Sequence, residues 1–119
     1  MRLKKGNTTT LRITITDNDG NLVTNLSTAS AVKFMMKRSN KDPDIEAVVS
    51  KSLGAGITVD DPSTGIVSVE LTSSDLDIAT IIYYTALQLE FGADINEIDL
   101  VEDSEGIDQI EIYQDIIGN

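Results

Sequence analysis

Cysteine, histidine and tryptophan are all missing from this 119-residue sequence, and aromatic residues make up only 4% of it. Without cysteine there are no disulfides and no thiolate metal sites. Without histidine the commonest general base and metal ligand is gone, and a nucleophile–histidine–acid triad is excluded. Long apolar runs are missing too. The most apolar stretch, residues 78–89, is interrupted by Thr80, Thr85 and Gln88 and is too short to cross a bilayer. The basic start, residues 1–6, runs into Asn7, Thr8, Thr9 and Thr10 instead of an apolar segment, so no secretory signal is expected. These absences point to a soluble, cytoplasm-made, non-enzymatic protein, with no cofactor and no membrane or nucleic-acid partner.

The length suits one domain, with a basic N-terminal arm at 1–7 and a single folded domain at 8–117. Charge is distributed unevenly along it. All nine basic residues fall within positions 1–51, which carry a net +4, whereas residues 52–119 hold fifteen acids and no base. A total of −11 repels polyanions, which disfavours nonspecific binding to DNA, RNA or anionic lipid. One reading is a solvated surface with acidic loops. Another is that patches of opposite sign dock copies of the chain, or other partners, head to tail. An acidic mimic of nucleic acid is a third.

Apolar residues recur with a period of two, and Asn, Asp, Gly and Ser punctuate them. Residues 8–17 place Leu11, Ile13 and Ile15 on one face and Arg12, Thr14 and Thr16 on the other, as in a half-buried strand. The 17–21 segment reads as a turn, followed by a short strand near 21–25. In 31–38 the alternation puts Val32, Phe34 and Met36 inward and Lys33, Met35 and Lys37 outward. Further strands are predicted at 45–52, 57–59, 66–71, 82–91 and 107–116, the 57–59 and 66–71 pair forming a hairpin. The 82–91 strand should be central, with Tyr83 in the core and Tyr84 at the surface. Thr72 and Asp75 have the spacing of a capping box, which suggests one helical turn over 73–79. Residues 92–106 read as an acidic loop, with a few paired residues near 98–101. About seven short strands in some 100 residues describe an all-β, immunoglobulin-like antiparallel β-sandwich, with a small open barrel as the competing architecture.

Candidate chemistry is sparse. Asp17, Asp19 and Asn21 match the first ligands of a calcium loop, but Leu22 stands where the glycine belongs and no closing acid follows, so a turn accounts for them. Carboxylates between Asp94 and Glu105 could serve acid/base chemistry only in a shaped, partly dry cleft; as a loop they are solvated. No metal site is assigned. The residues that stand out are those suited to protein contact. Arg2, Lys4 and Lys5 form an arm that could add to a neighbour's sheet or sit against its acidic patch. Lys33, Lys37 and Arg38 flank Met35, an outward methionine suited to a covered surface. Tyr84 offers an exposed ring, and Glu102, Asp103 and Glu105 supply the opposite charge.

Taken in order, several segments match one pattern: residues 5–8 opening a strand, the Asp-Gly-Asn turn at 19–21, 31–37, 56–59, 64–69, 71–75, and Tyr83-Tyr84 with Leu87-Gln88-Leu89. Over residues 5–115 the chain resembles the immunoglobulin-like domain at the N-terminus of baseplate upper proteins and related small virion proteins of tailed bacteriophages. That resemblance implies a non-catalytic virion structural protein of the tail or baseplate, binding other phage structural proteins in an oligomeric particle. Such proteins often continue into a stalk or receptor-binding region, and residues 77–82 replace their usual proline-glycine approach to the tyrosine strand. The sequence ends soon after the last predicted strand, so a stand-alone virion component, not the fibre itself, is expected. Capsid decoration, a carbohydrate-binding adhesin using Tyr84, and the acidic mimic remain alternatives.

Overall fold

Alternation along the chain becomes an inside and an outside. Leu11, Ile13 and Ile15 are buried while Thr10, Arg12, Thr14 and Thr16 between them are exposed, as a pleated strand with one dry face requires. A computed structural model describes residues 1–16, 21, 25–39, 41–92, 94–98 and 109–114, with backbone alone for residues 44 and 94–98. Its strands are β1 (Arg2–Lys4), β2 (Thr9–Thr14), β3 (Ala31–Lys37), β4 (Val49–Leu53), β5 (Gly56–Asp61), β6 (Ile66–Leu71), β7 (Ile82–Phe91), β8 (Asp94–Ile98) and β9 (Gln109–Tyr113). The only helical segments among the described residues are two 3₁₀ turns, Leu26–Thr28 and Asp44–Glu46. The fold is all-β.

The nine strands form one mixed sheet in the order β1-β9-β7-β3-β4-β5-β6-β2, with β8 beside the second half of β7. The β1–β9 and β4–β5 pairs are parallel and the others antiparallel. Its two ends, β1 and β2, are joined by residues 5–8 alone. Such a link spans at most roughly 18 Å. Eight strands laid flat would hold their outermost members about 34 Å apart at the usual strand spacing. The sheet therefore has to curl, and one wall, β1-β9-β7-β3-β4, faces the other, β5-β6-β2, across a single core. Val32, Phe34, Met36, Tyr83 and Leu87 from the first wall pack in one cluster with Ile13, Ile57, Val67 and Leu71 from the second.

Tyr83 sits fully buried near the start of β7, where its hydroxyl donates to the Ala79 carbonyl at 2.8 Å. Burial pushes this phenol's pKa up, and Arg38 beside the hydroxyl offsets only part of that. The ring can fill the core because its one polar atom is satisfied.

The capping box forms. Thr72 N–H donates to Asp75 Oδ2 at 2.7 Å and Asp75 N–H donates to Thr72 Oγ1 at 3.3 Å, but the segment closes as a turn and does not propagate into the predicted helical turn. It carries Leu76 into the core, where the Leu76 carbonyl accepts from Gly6 N–H at 3.0 Å and anchors the 5–8 link.

Several predicted elements are corrected. The strand predicted at 45–52 starts only at Val49, because Pro43 seeds a 3₁₀ turn in which its carbonyl accepts from Glu46 N–H at 2.9 Å, leaving Ile45 92% exposed. β8 occupies part of the predicted acidic loop, since Gly92, at φ 62°, turns the chain back along β7. The expectation of a wholly antiparallel sheet gives way to a mixed one. Arg2–Lys4, read as an arm for a neighbour, lies instead in the chain's own sheet against β9. The predicted 17–21 turn and most of the 21–25 strand fall outside the described residues.

Lys51 and Asp75 join the walls' rims. Lys51 pairs across β3 with the core residue Phe34 and so starts on the inward side, yet its ammonium reaches Asp75 Oδ2 at 2.6 Å. Burial raises the Asp75 pKa, but Lys51 and the Thr72 N–H and hydroxyl outweigh it and hold the carboxyl below its ordinary 3.8. The lysine stem runs over Gly56, where a Cβ would stand 2.6 Å from Lys51 Cδ and where φ is +103°. No residue with a side chain fits there without strain.

Two outcomes follow from this corner. Because the folded pKa is depressed, the stabilisation by Asp75 is complete above the unfolded value and disappears as pH falls through the folded one. Asp75→Asn should therefore cost about 2 kcal/mol at neutral pH, and urea titrations should find that gap closed at pH values well below 3.8. Gly56→Ala should cost about 1–3 kcal/mol, read as a lower denaturation midpoint with an unchanged m-value.

Candidate protein-docking face

On the β1-β9-β7-β3-β4 wall, residues of one parity point to the core and those of the other form an outward face. Register brings the outward residues into rows. Arg2 lies across from Glu111 and Glu111 across from Ile82; Lys4 faces Tyr113; Gln109, Tyr84 and Lys37 form a third row. Ala86, Met35 and Ser50 make the next, and Gln88, Lys33 and Ser52 the one after. Six residues proposed from sequence as contact residues, Arg2, Lys4, Lys33, Met35, Lys37 and Tyr84, thus share one surface, although they come from three separate strands.

Charges of both signs meet on this face. Arg2 Nε lies 3.3 Å from Glu111 Oε2, and its guanidinium is 4.3 Å from the centre of the Tyr113 ring. Lys33 Nζ donates to Glu90 Oε1 at 3.2 Å. The Arg2–Glu111 pair stands largely in water, where such a pair contributes about 0–1 kcal/mol, whereas Lys33–Glu90 is part-buried. By register the face carries four basic residues, Arg2, Lys4, Lys33 and Lys37, and three acidic ones, Glu90, Glu97 and Glu111, on a chain whose total charge is −11. Four of the nine basic residues of an acidic protein thus share one face. Complementary potential of this kind steers association and selects partners more than it adds affinity.

Met35 differs from its prediction. It does lie on the outward parity, but it is only 6% exposed and stands apart from the main core cluster. Its cross-strand neighbours, Ser50 and Ala86, are small, and Lys33, Lys37, Tyr84 and Gln88 surround it in the register. It forms the floor of the face and not a projecting contact.

The other proposed contact residues are elsewhere. Lys5 follows β1 in the link, with its ammonium 3.8 Å from Asp77 Oδ1. Arg38 lies just beyond β3 on the core side, beside the Tyr83 hydroxyl. Glu102, Asp103 and Glu105 lie outside the described residues. Sequence reasoning left out Ile82, Gln109, Glu111 and Tyr113 as members of the face; the alternation of 107–116 was visible, but nothing local pairs that strand with residues 2–4. Among the described residues there is no cluster of acids suited to a metal ion, and no helix is long and apolar enough to cross a membrane.

The sequence matches no protein-family model and no curated protein.

The burial of Met35 has a measurable consequence. Met35→Ala should destabilise the chain by about 2 kcal/mol or more, as for a buried methionine, whereas an exposed position would change by less than about 0.5 kcal/mol. Equilibrium denaturation of the variant separates the two.

Proposed function

We propose that this chain is a non-enzymatic structural protein of a tailed-phage virion, a tail or baseplate component that docks on other virion proteins through the outward face of β1, β9, β7, β3 and β4. It is made in the host cytoplasm and works within the assembled particle. The observation that carries the docking role is the convergence of Arg2, Lys4, Lys33 and Lys37 around Tyr84 on one sheet face of a strongly acidic chain. The phage assignment rests on the sequence resemblance.

The finer fold reading, an immunoglobulin-like sandwich, has two supports. The orders β5-β6-β2 and β4-β3-β7-β9 correspond to the D-E-B and C′-C-F-G orders of the two layers in such sandwiches. Tyr83, near the start of the strand in the F position, bonds back to the backbone four residues upstream, which is the arrangement of a tyrosine corner.

Charge reversal tests the docking role. Replacing Lys33 and Lys37 together by glutamate should reduce incorporation into assembled phage particles at least tenfold and flatten its dependence on salt. The isolated variant should keep its thermal midpoint within a few degrees, because both substitutions fall on the solvent side. Incorporation equal to wild type would overturn the proposal.

A further inference from the structure

Strand β2 ends the sheet: among the described residues it pairs with β6 alone. Ile15 N–H donates to the Gly65 carbonyl at 2.7 Å, and extending the β2–β6 register by one residue sets these two opposite each other. Hydrogen-bonded pairs alternate along an antiparallel ladder, so Thr9, Leu11 and Ile13 also direct their N–H and C=O groups to β6. Thr10, Arg12 and Thr14 direct theirs the other way, and none of the three has a partner among the described residues. Among the described residues these N–H and C=O groups are thus left for pairing as far as Thr14, while Thr16, two residues on, is bridged.

The charge at the centre of this edge is also unusual. Arg2, Lys5, Lys33 and Lys51 pair with carboxylates, Arg38 lies beside the Tyr83 hydroxyl, and Lys4 and Lys37 are engaged as well. Arg12 and Lys41, by contrast, make no side-chain ion pair or hydrogen bond with another described residue, and of the two only Arg12 lies on a sheet edge, in a protein whose acids outnumber its bases twenty to nine. From this geometry we infer that the β2 edge accepts an extended strand from another protein, with a carboxylate opposite Arg12 and β-branched residues on either side. Backbone pairing supplies affinity and Arg12 supplies register and specificity. A second copy of β2 fits poorly, since antiparallel self-pairing centred on Arg12 sets two guanidinium groups side by side.

The inference is independent of the outward face of the opposite wall. Its test uses the full chain, isotopically labelled, with a capped seven-residue peptide of alternating threonine and valine carrying a central glutamate. At saturating peptide the Thr10, Arg12 and Thr14 amides should exchange at least tenfold more slowly, with the Leu11 and Ile13 amides unchanged. Arg12→Glu, a change at a solvent-exposed side chain, should weaken this peptide at least tenfold and favour its lysine-centred counterpart. Absence of edge protection, equal binding of both peptides by the wild-type chain, or a β2-paired homodimer in sedimentation would overturn the inference.

Discussion

The four-residue link between β1 and β2 is the constraint on which this fold depends. It ties together the two strands that end the sheet, and no flat arrangement of the intervening strands can satisfy it. Curling the sheet brings both inner faces onto the same side chains, which is why one cluster includes residues from nearly every strand. The link is itself held from both sides: Lys5 N–H donates to the Tyr113 carbonyl at 2.8 Å and Gly6 N–H to that of Leu76 at 3.0 Å. Burial of Leu76 and the strand addition of β1 are consequently parts of one closure.

The same closure assembles the outward face proposed for docking. Arg2 and Lys4 reach it only because β1 leaves the neighbourhood of β2 and adds to β9, more than a hundred residues later in the chain. There they meet Glu111 and Tyr113, and the row continues through Tyr84 to Lys37. The Arg2–Glu111 pair on this surface is solvated and constrains the fold little. The more buried pair, Lys51 with Asp75, has a different task. It joins β4 to the turn after β6 and is directed by the absence of a side chain at Gly56.

A β2 edge left uncovered among the described residues is the other side of that arrangement. The β1 strand that pairs with β9 does not also cover β2, which among the described residues pairs with β6 alone. Edge strands are commonly blunted by a charge, and Arg12 serves that purpose against self-pairing while remaining complementary to an acidic strand. The face proposed for docking and the edge proposed for strand pairing lie on opposite walls of the molecule.

Local alternation made the strands at 9–14, 31–37, 66–71 and 82–91 legible, along with the core positions Leu11, Val32, Phe34, Tyr83 and Leu87, because a period of two directly encodes which side chains are dry. The capping box was legible for a similar reason, since its partners are three residues apart. What alternation cannot express is what lies opposite. It placed Met35 on the outer side but not in a niche between Ser50 and Ala86, and it gave no sign that Lys51 lies over Gly56. The sequence by itself determined an all-β chain, its inward and outward residues and its charge asymmetry. Only the tertiary structure decided that β1 joins β9, that cations from distant segments share one face, and that the β2 edge stays unpaired among the described residues. Strand pairing is set by long-range closure and packing, which no local period contains.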